Sequence, residues 1–179
     1  TTGKGKKMAQ KKLGVGFIGG GFIGMFHIRS WIGVRDADIL GIYDKNTETA
    51  ENAAALAKGL GVGDTKVFGS ITDMVADPAI DAIWILAPNF TRIEIMEEIV
   101  QAIESGKGEL IGVTCEKPLG RNVIEAKKML ELVKKVGLLD GYLEDQLFSP
   151  SLQRGKEIIW ARGAATSGRP YLARAAEEH

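Results

Sequence analysis

Short apolar runs alternate with segments of helical period along this chain. Six runs read as strands: Leu13–Ile18, Ile39–Tyr43, Lys66–Phe68, Ala82–Leu86, Leu110–Thr114 and Leu138–Leu143. After the first of them, Ile23, Phe26, Ile28, Trp31 and Ile32 supply an apolar helix. Thr47–Lys58 is alanine-rich, and Ile71–Ala76 is introduced by Ser70 with Asp73 three residues on, a capping-box-like pair. Ile95, Ile99, Ala102 and Ile103 mark one face of Arg92–Ser105. Ala126, Met129, Leu130 and Val133 follow i, i+3, i+4, i+7 and predict a buried stripe on Asn122–Val136. Strands alternating with helices predict an α/β fold, a doubly wound parallel sheet covered by helices, complete by about Leu143. Ser149-Pro150 then opens a helix to about Arg162, followed by a turn over Gly163–Arg169 and a strand over Pro170–Ala176. A helix and one strand cannot bury a core of their own. This tail is expected either to pack on the first domain or to begin a second, incomplete one.

The first strand runs into Gly19-Gly20-Gly21-Phe22-Ile23-Gly24, a G-x-G-x-x-G, and Asp44 lies twenty positions after Gly24. In a strand–turn–helix that grips a dinucleotide, Gly19 permits the tight turn, Gly21 lets the backbone approach a pyrophosphate, and Gly24 lets helix and strand pack closely. The diphosphate would sit on free backbone N–H groups at the helix N-terminus, around Phe22 and Ile23, where the helix dipole favours negative charge. Asp44 ends the second strand, where a carboxylate can accept hydrogen bonds from the adenosine ribose. The competing reading is a glycine-rich turn in an ordinary α/β core, since the chain has 23 glycines. Apolar strand, glycine turn, apolar helix and acid-tipped second strand in that order favour the dinucleotide site and the Rossmann arrangement.

Lys+Arg and Asp+Glu both number 23, so no global field steers the chain toward nucleic acid or acidic membranes. Cys115 is the sole cysteine, which excludes an internal disulfide and a cysteine-rich zinc cluster and suits the cytoplasm. Lys4, Lys6, Lys7, Lys11 and Lys12 precede an apolar run, but glycines punctuate it and His27 and Arg29 follow instead of a cleavage site. Residues 1–12 are therefore expected to be a flexible basic tail, and nothing approaches a transmembrane length.

The fifth strand leads into Cys115-Glu116-Lys117-Pro118-Leu119-Gly120. With the glycine turn and Pro88-Asn89 after the fourth strand, this motif makes the chain resemble the N-terminal part of the glucose–fructose oxidoreductase and inositol dehydrogenase (Gfo/Idh/MocA) family from about Leu13 to His179. Independently, ligands of open parallel sheets bind beyond the carboxyl ends of the strands, and Gly19, Asp44, Pro88, Asn89, Glu116 and Lys117 all belong there. Pro118 keeps Lys117 out of the helical region, and a lysine so held beside a nicotinamide can orient a substrate alcohol and stabilise developing oxyanion charge. The resemblance implies a proton-handling role for Lys117; the bland alternative is a surface lysine at a strand end. The family's T-P-N-x-x-H segment lines the nicotinamide-ribose side of the cleft, but here Ala87 replaces the threonine and Arg92 the histidine. Those departures weaken contacts assigned to the ends of the motif and leave Asn89 intact.

Domains are expected at 13–145, binding NAD(P), and 146–179, the start of a C-terminal substrate and oligomerisation domain. NAD is the expected cofactor because the Asp44 carboxylate repels a 2′-phosphate, while Lys45 and Asn46 leave NADP open. The resemblance implies an NAD(P)-dependent oxidoreductase passing a hydride between nicotinamide and a secondary alcohol or carbonyl of a sugar or cyclitol. It also implies a homo-oligomer in the full-length form and feeble or no catalysis by this portion alone. His27 is read as packed near the cofactor turn. Glu177-Glu178-His179 looks like a metal trio, but strand alternation puts only two of the three on one face. Glu144 and Asp145 depart from the family's G-Y-N-x-R-F crossover and read as a solvated hinge. Two rivals stand beside the enzyme: a non-catalytic NAD(H)-binding module acting through a partner, and an assembly subunit.

Overall fold

The computed structural model describes residues 11–166, with side chains to residue 161. Six parallel strands form one sheet: β1 Leu13–Ile18, β2 Ala37–Tyr43, β3 Lys66–Val67, β4 Ala82–Ile85, β5 Gly112–Glu116 and β6 Leu139–Leu143, in the order β3-β2-β1-β4-β5-β6. The order reverses between β1 and β4, and that switch point opens a crevice at the carboxyl ends of the strands. Period-two alternation sorts the side chains onto two faces. Val15 and Phe17 of β1 join Ile39 and Ile42 of β2 under α1 (Phe22–Ser30) and α2 (Thr47–Gly59). Ile18, Ile83, Ile85, Val113 and Cys115 pack under α3 (Ile71–Ala76), α4 (Arg92–Glu104) and α5 (Val123–Lys135) on the other.

Local chemistry sets the helix starts. The Asn46 side chain accepts from the Thr49 N–H, Ser70 from Asp73 and Asn122 from Glu125, so three helices open on side-chain caps. The fully or nearly fully buried Ala50, Ala53, Ala54 and Ala57 give α2 a small-residue face that lies close on the sheet.

Several expectations need correction. β5 begins at Gly112 and ends at Glu116, two residues later than its hydropathy suggests, so Glu116 is a strand residue. On α1 the buried positions are Gly24 and Ile28, followed by Trp31. Phe26 stands two residues, roughly 200° of helix, from each of the first two and is exposed. Ile32 falls in a 3-10 turn, Trp31–Gly33, which breaks the α-helical phase and turns it outward. Leu130 is 39% exposed, because the buried stripe of α5 is centred on Met129 and Val133.

Two compact units divide the chain between Leu143 and Glu144. In the second, a 3-10 turn over Asp145–Phe148 precedes α6, Pro150–Thr166. The helix therefore continues through Gly163, where a turn was expected; Ala164 and Ala165, strong helix formers, follow that glycine. Residues 167–169 of that turn, the strand Pro170–Ala176, Glu177-Glu178-His179 and the tail as far as residue 10 lie outside the described residues.

Candidate active site

The glycine turn sits where β1 meets α1. Gly19 has φ of +112°, a conformation closed to other residues in practice, and a Cβ there would stand 2.9 Å from the Ala87 nitrogen. A Cβ on Gly24 would meet the Gly19 carbonyl oxygen at 2.3 Å, so only a glycine lets the helix start this close to the strand end. Gly21 differs: a Cβ there meets nothing within 4 Å. As the N-cap of α1 it brings no capping side chain, and no acid stands in the first turn. The first-turn amides thus face open space at the positive end of the helix dipole, which suits a diphosphate.

Asp44 follows β2. Its Oδ2 accepts from the Gly20 N–H at 2.9 Å and its Oδ1 from the Asn46 N–H at 2.9 Å. The carboxylate that would meet a ribose therefore also braces the glycine turn. Lys45 beside it is exposed.

On the far side of the crevice the Lys117–Pro118 peptide is cis. The Glu116 carboxylate is largely buried and uses both oxygens: Oε2 accepts from the Lys117 N–H at 2.9 Å, and Oε1 lies 2.9 Å from His27 Nε2. His27 reaches it from α1, set edge-on against Phe17 and Trp84. Arg92, the first residue of α4, is 4% exposed. Its Nε donates to the Ala87 carbonyl at 2.9 Å, its Nη1 to the Glu116 and Pro118 carbonyls, and its Nη2 approaches the Lys117 carbonyl at 3.5 Å. Burial pushes the neighbouring Cys115 thiol up to about 11, with the Arg92 charge opposing the rise. That thiol stays protonated and inert at neutral pH.

The glycine turn, Asp44, Arg92, Glu116 and Lys117 line one cleft of about 840 Å³. Of the residues singled out from sequence, Gly19, Gly21, Phe22, Ile23, Asp44, Lys45, Pro88, Glu116 and Lys117 all face it. Gly24 does not; it is buried and serves the close contact of helix and strand. Asn89 does not either, although Phe90 and Thr91 of the 3-10 turn it opens, Asn89–Thr91, do. Phe90 and Glu98, which the sequence does not single out, and Ile71 and Ile95, which it marks only as helix residues, also line the wall. Thr91, Ile95 and Glu98 sit at i, i+4, i+7, a signal that an α4 face borders the cleft as well as the core. The bond from His27 to Glu116 and the clamp made by Arg92 had no signal beyond residue type.

A model of the oxidoreductase family with an NAD-binding Rossmann fold matches residues 13–140. The chain is 31% identical over 126 residues to the 1,5-anhydro-D-fructose reductase of Ensifer adhaerens, covering 70% of this chain and 34% of that protein. It is 26% identical over 162 residues to the myo-inositol 2-dehydrogenase of Thermotoga maritima, covering 89% and 43%. Among solved structures, myo-inositol 2-dehydrogenase from Lactobacillus plantarum aligns with a TM-score of 0.68 at 25% identity, over 87% of this chain and 43% of that one. GenD2 from gentamicin A biosynthesis, in complex with NAD, aligns with a TM-score of 0.70 at 21% identity over 92% and 43%, a likeness of fold. The chain spans less than half the length of each of these relatives. With the glycine turn, the acid-tipped second strand and the Glu-Lys-Pro turn meeting in one cleft of a sheet ordered 3-2-1-4-5-6, the chain belongs to the NAD-binding Gfo/Idh/MocA oxidoreductase family.

Proposed function

We propose that this chain is the cofactor-binding portion of a dehydrogenase that passes a hydride between NAD and a secondary alcohol or carbonyl of a sugar or cyclitol. One observation carries the proposal: the open glycine turn, Asp44 and Lys117 line the same cleft. The α1 amides at Phe22 and Ile23 would hold the diphosphate, and Asp44 the adenosine ribose. Pro88, Glu116 and Lys117 would border the nicotinamide half, with Asn89 supporting the turn behind Pro88. When bound, the nicotinamide accepts or returns the hydride. Lys117 is exposed, and among the described residues its side chain has no protein partner. Its ammonium is free to hydrogen-bond the oxygen of a carbonyl substrate and to give it a proton as that carbonyl is reduced; in the opposite direction the neutral amine takes the proton that leaves the hydroxyl.

The activities named for the relatives, a 1,5-anhydro-D-fructose reductase and a myo-inositol 2-dehydrogenase, support a polyhydroxylated substrate. The fixed Asp44 carboxylate supports NAD over NADP by repelling a 2′-phosphate, and Lys45 would moderate that bias. The free, buried Cys115 fits a reducing compartment such as the cytoplasm, and no helix among the described residues is long and apolar enough to cross a membrane. Arg92 gives no support to a non-catalytic module, because its bonds serve the turn that carries Lys117.

Titration calorimetry with NADH, NAD and NADP, beside NAD reduction by a panel of inositols and aldoses, tests the proposal. NADH and NAD are expected to bind with one site per chain and NADP more weakly. In the whole protein Lys117→Ala is expected to lower kcat by about 10²–10⁴-fold with cofactor binding retained. Unchanged turnover in that variant would refute the role given to Lys117.

A further inference from the structure

We propose that Arg92 is a positioning residue for Lys117: its guanidinium ties the end of β4 to the turn after β5 and so fixes where the lysine backbone stands at the cleft. Resting on the role given to Lys117 above, this assigns a task to a residue at which the chain departs from its family's pattern.

Arg92 stands where a cation is costly, buried and at the N-terminal, positive end of α4. Among the described residues, no carboxylate lies among its hydrogen-bond partners. It donates to backbone carbonyls of two separate strand ends, Ala87 after β4 and Glu116, Lys117 and Pro118 at and beyond the end of β5. A planar fork reaches several acceptors at fixed angles; a lysine ammonium is a point charge and cannot span them. From the opposite side the Glu116 carboxylate holds the Lys117 N–H at 2.9 Å and is itself met by His27. Arg92 thus restrains the carbonyls of the turn and Glu116 its amide, while the Lys117 side chain is left exposed. With the side chain unrestrained, the backbone decides where its ammonium can reach.

The test uses Arg92→Lys and Arg92→Gln in the whole chain, followed by NMR. In the cofactor-free protein, amide exchange at Lys117 is expected to accelerate about tenfold or more in both variants, while Val113, near the start of β5, changes by less than about twofold. On addition of NADH, the Lys117 Cε resonance, assigned with Lys117→Arg, is expected to move in the wild type and to lose at least about half that response in the variants, while NADH affinity falls less than about threefold. Unchanged Lys117 exchange in a folded Arg92→Lys chain overturns the proposal. Equal acceleration at Val113 also overturns it, because Arg92 would then support the sheet as a whole. Selective loosening in a chain whose wild type is blind to NADH upholds the clamp and refutes the cofactor role of the cleft, so the two failures are told apart. Should Arg92→Gln not fold, Arg92→Lys keeps charge and stem and decides alone.

Discussion

Three glycines within six residues do different work, and single methyl groups should separate their roles. Gly21→Ala adds a methyl that touches no atom of the described residues, in the space a diphosphate would take. Its expected cost in stability is about 1 kcal/mol or less, from a poorer N-cap. Its expected cost in NADH affinity is roughly tenfold or more. Gly24→Ala instead drives a methyl to 2.3 Å from a backbone oxygen and should lower stability by about 1–3 kcal/mol. Urea unfolding together with NADH titration of the two variants checks both outcomes; equal loss of affinity with no loss of stability in Gly24→Ala would contradict the packing role. Cys115 offers a further residue-scale check. With its thiol pushed up to about 11 by burial, it should resist alkylation at pH 8 in the native chain and react at once in denaturant.

Elements were legible where a pattern is local and long. Ile71–Ala76 with its Ser70 cap, Thr47–Gly59 and the β1 strand follow from capping chemistry, alanine content and an apolar run, and all stand within a residue of expectation. Legibility ended where tertiary geometry chose among equally apolar residues. On α5, Met129 and Leu130 look alike in sequence, yet packing in the core cluster that α5 shares with α4 buries the first to 2% and leaves the second at 39%. Met129→Ala should therefore cost about 2–5 kcal/mol, and Leu130→Ala about 1 kcal/mol, as measured by urea midpoints. In the site, the glycine turn, Asp44 and Lys117 were readable because their spacing is fixed by strand–turn–helix geometry. His27, Glu116 and Arg92 were not readable as partners, because bonds spanning 89 and about 25 residues leave no periodic trace. A long-range tie elsewhere makes an acid-stability prediction. Lys66 of β3 donates to Asp77 at the end of α3 at 2.9 Å, and this bond, with a second from the Ala79 N–H, holds the Asp77 carboxyl below its ordinary value of 3.8. A depressed native pKa stabilises the fold above 3.8 and loses that stabilisation as pH falls from there through the native value. Asp77→Asn should remove this part of the acid sensitivity, seen as a flatter fall of the urea midpoint below pH 4 than in the wild type.

At the scale of the molecule, the cleft lies between segments that the sheet brings together from remote parts of the chain. Its walls come from the ends of β1, β2, β4 and β5, all in the first unit. A ligand spanning them bridges the strand order on both sides of the switch point, so its binding free energy adds to the stability of that unit by mass action. With Lys+Arg and Asp+Glu balanced at 23 each, little of that binding comes from a global field, and its dependence on salt should be shallow. At NADH a hundredfold above Kd the gain is about 2.7 kcal/mol, which for a unit of this size raises the melting midpoint by about 5–10 °C. Differential scanning fluorimetry is unsuitable because NADH fluoresces, so the midpoint is best followed by far-ultraviolet circular dichroism. Wild type and Gly24→Ala, despite their different starting midpoints, should both gain stability from NADH, whereas Gly21→Ala, with its affinity lowered roughly tenfold or more, should gain at most about half as much at the same concentration. If Gly21→Ala gained as much as wild type, the dinucleotide would have to bind somewhere other than the glycine turn, and the assignment of the cleft would fall.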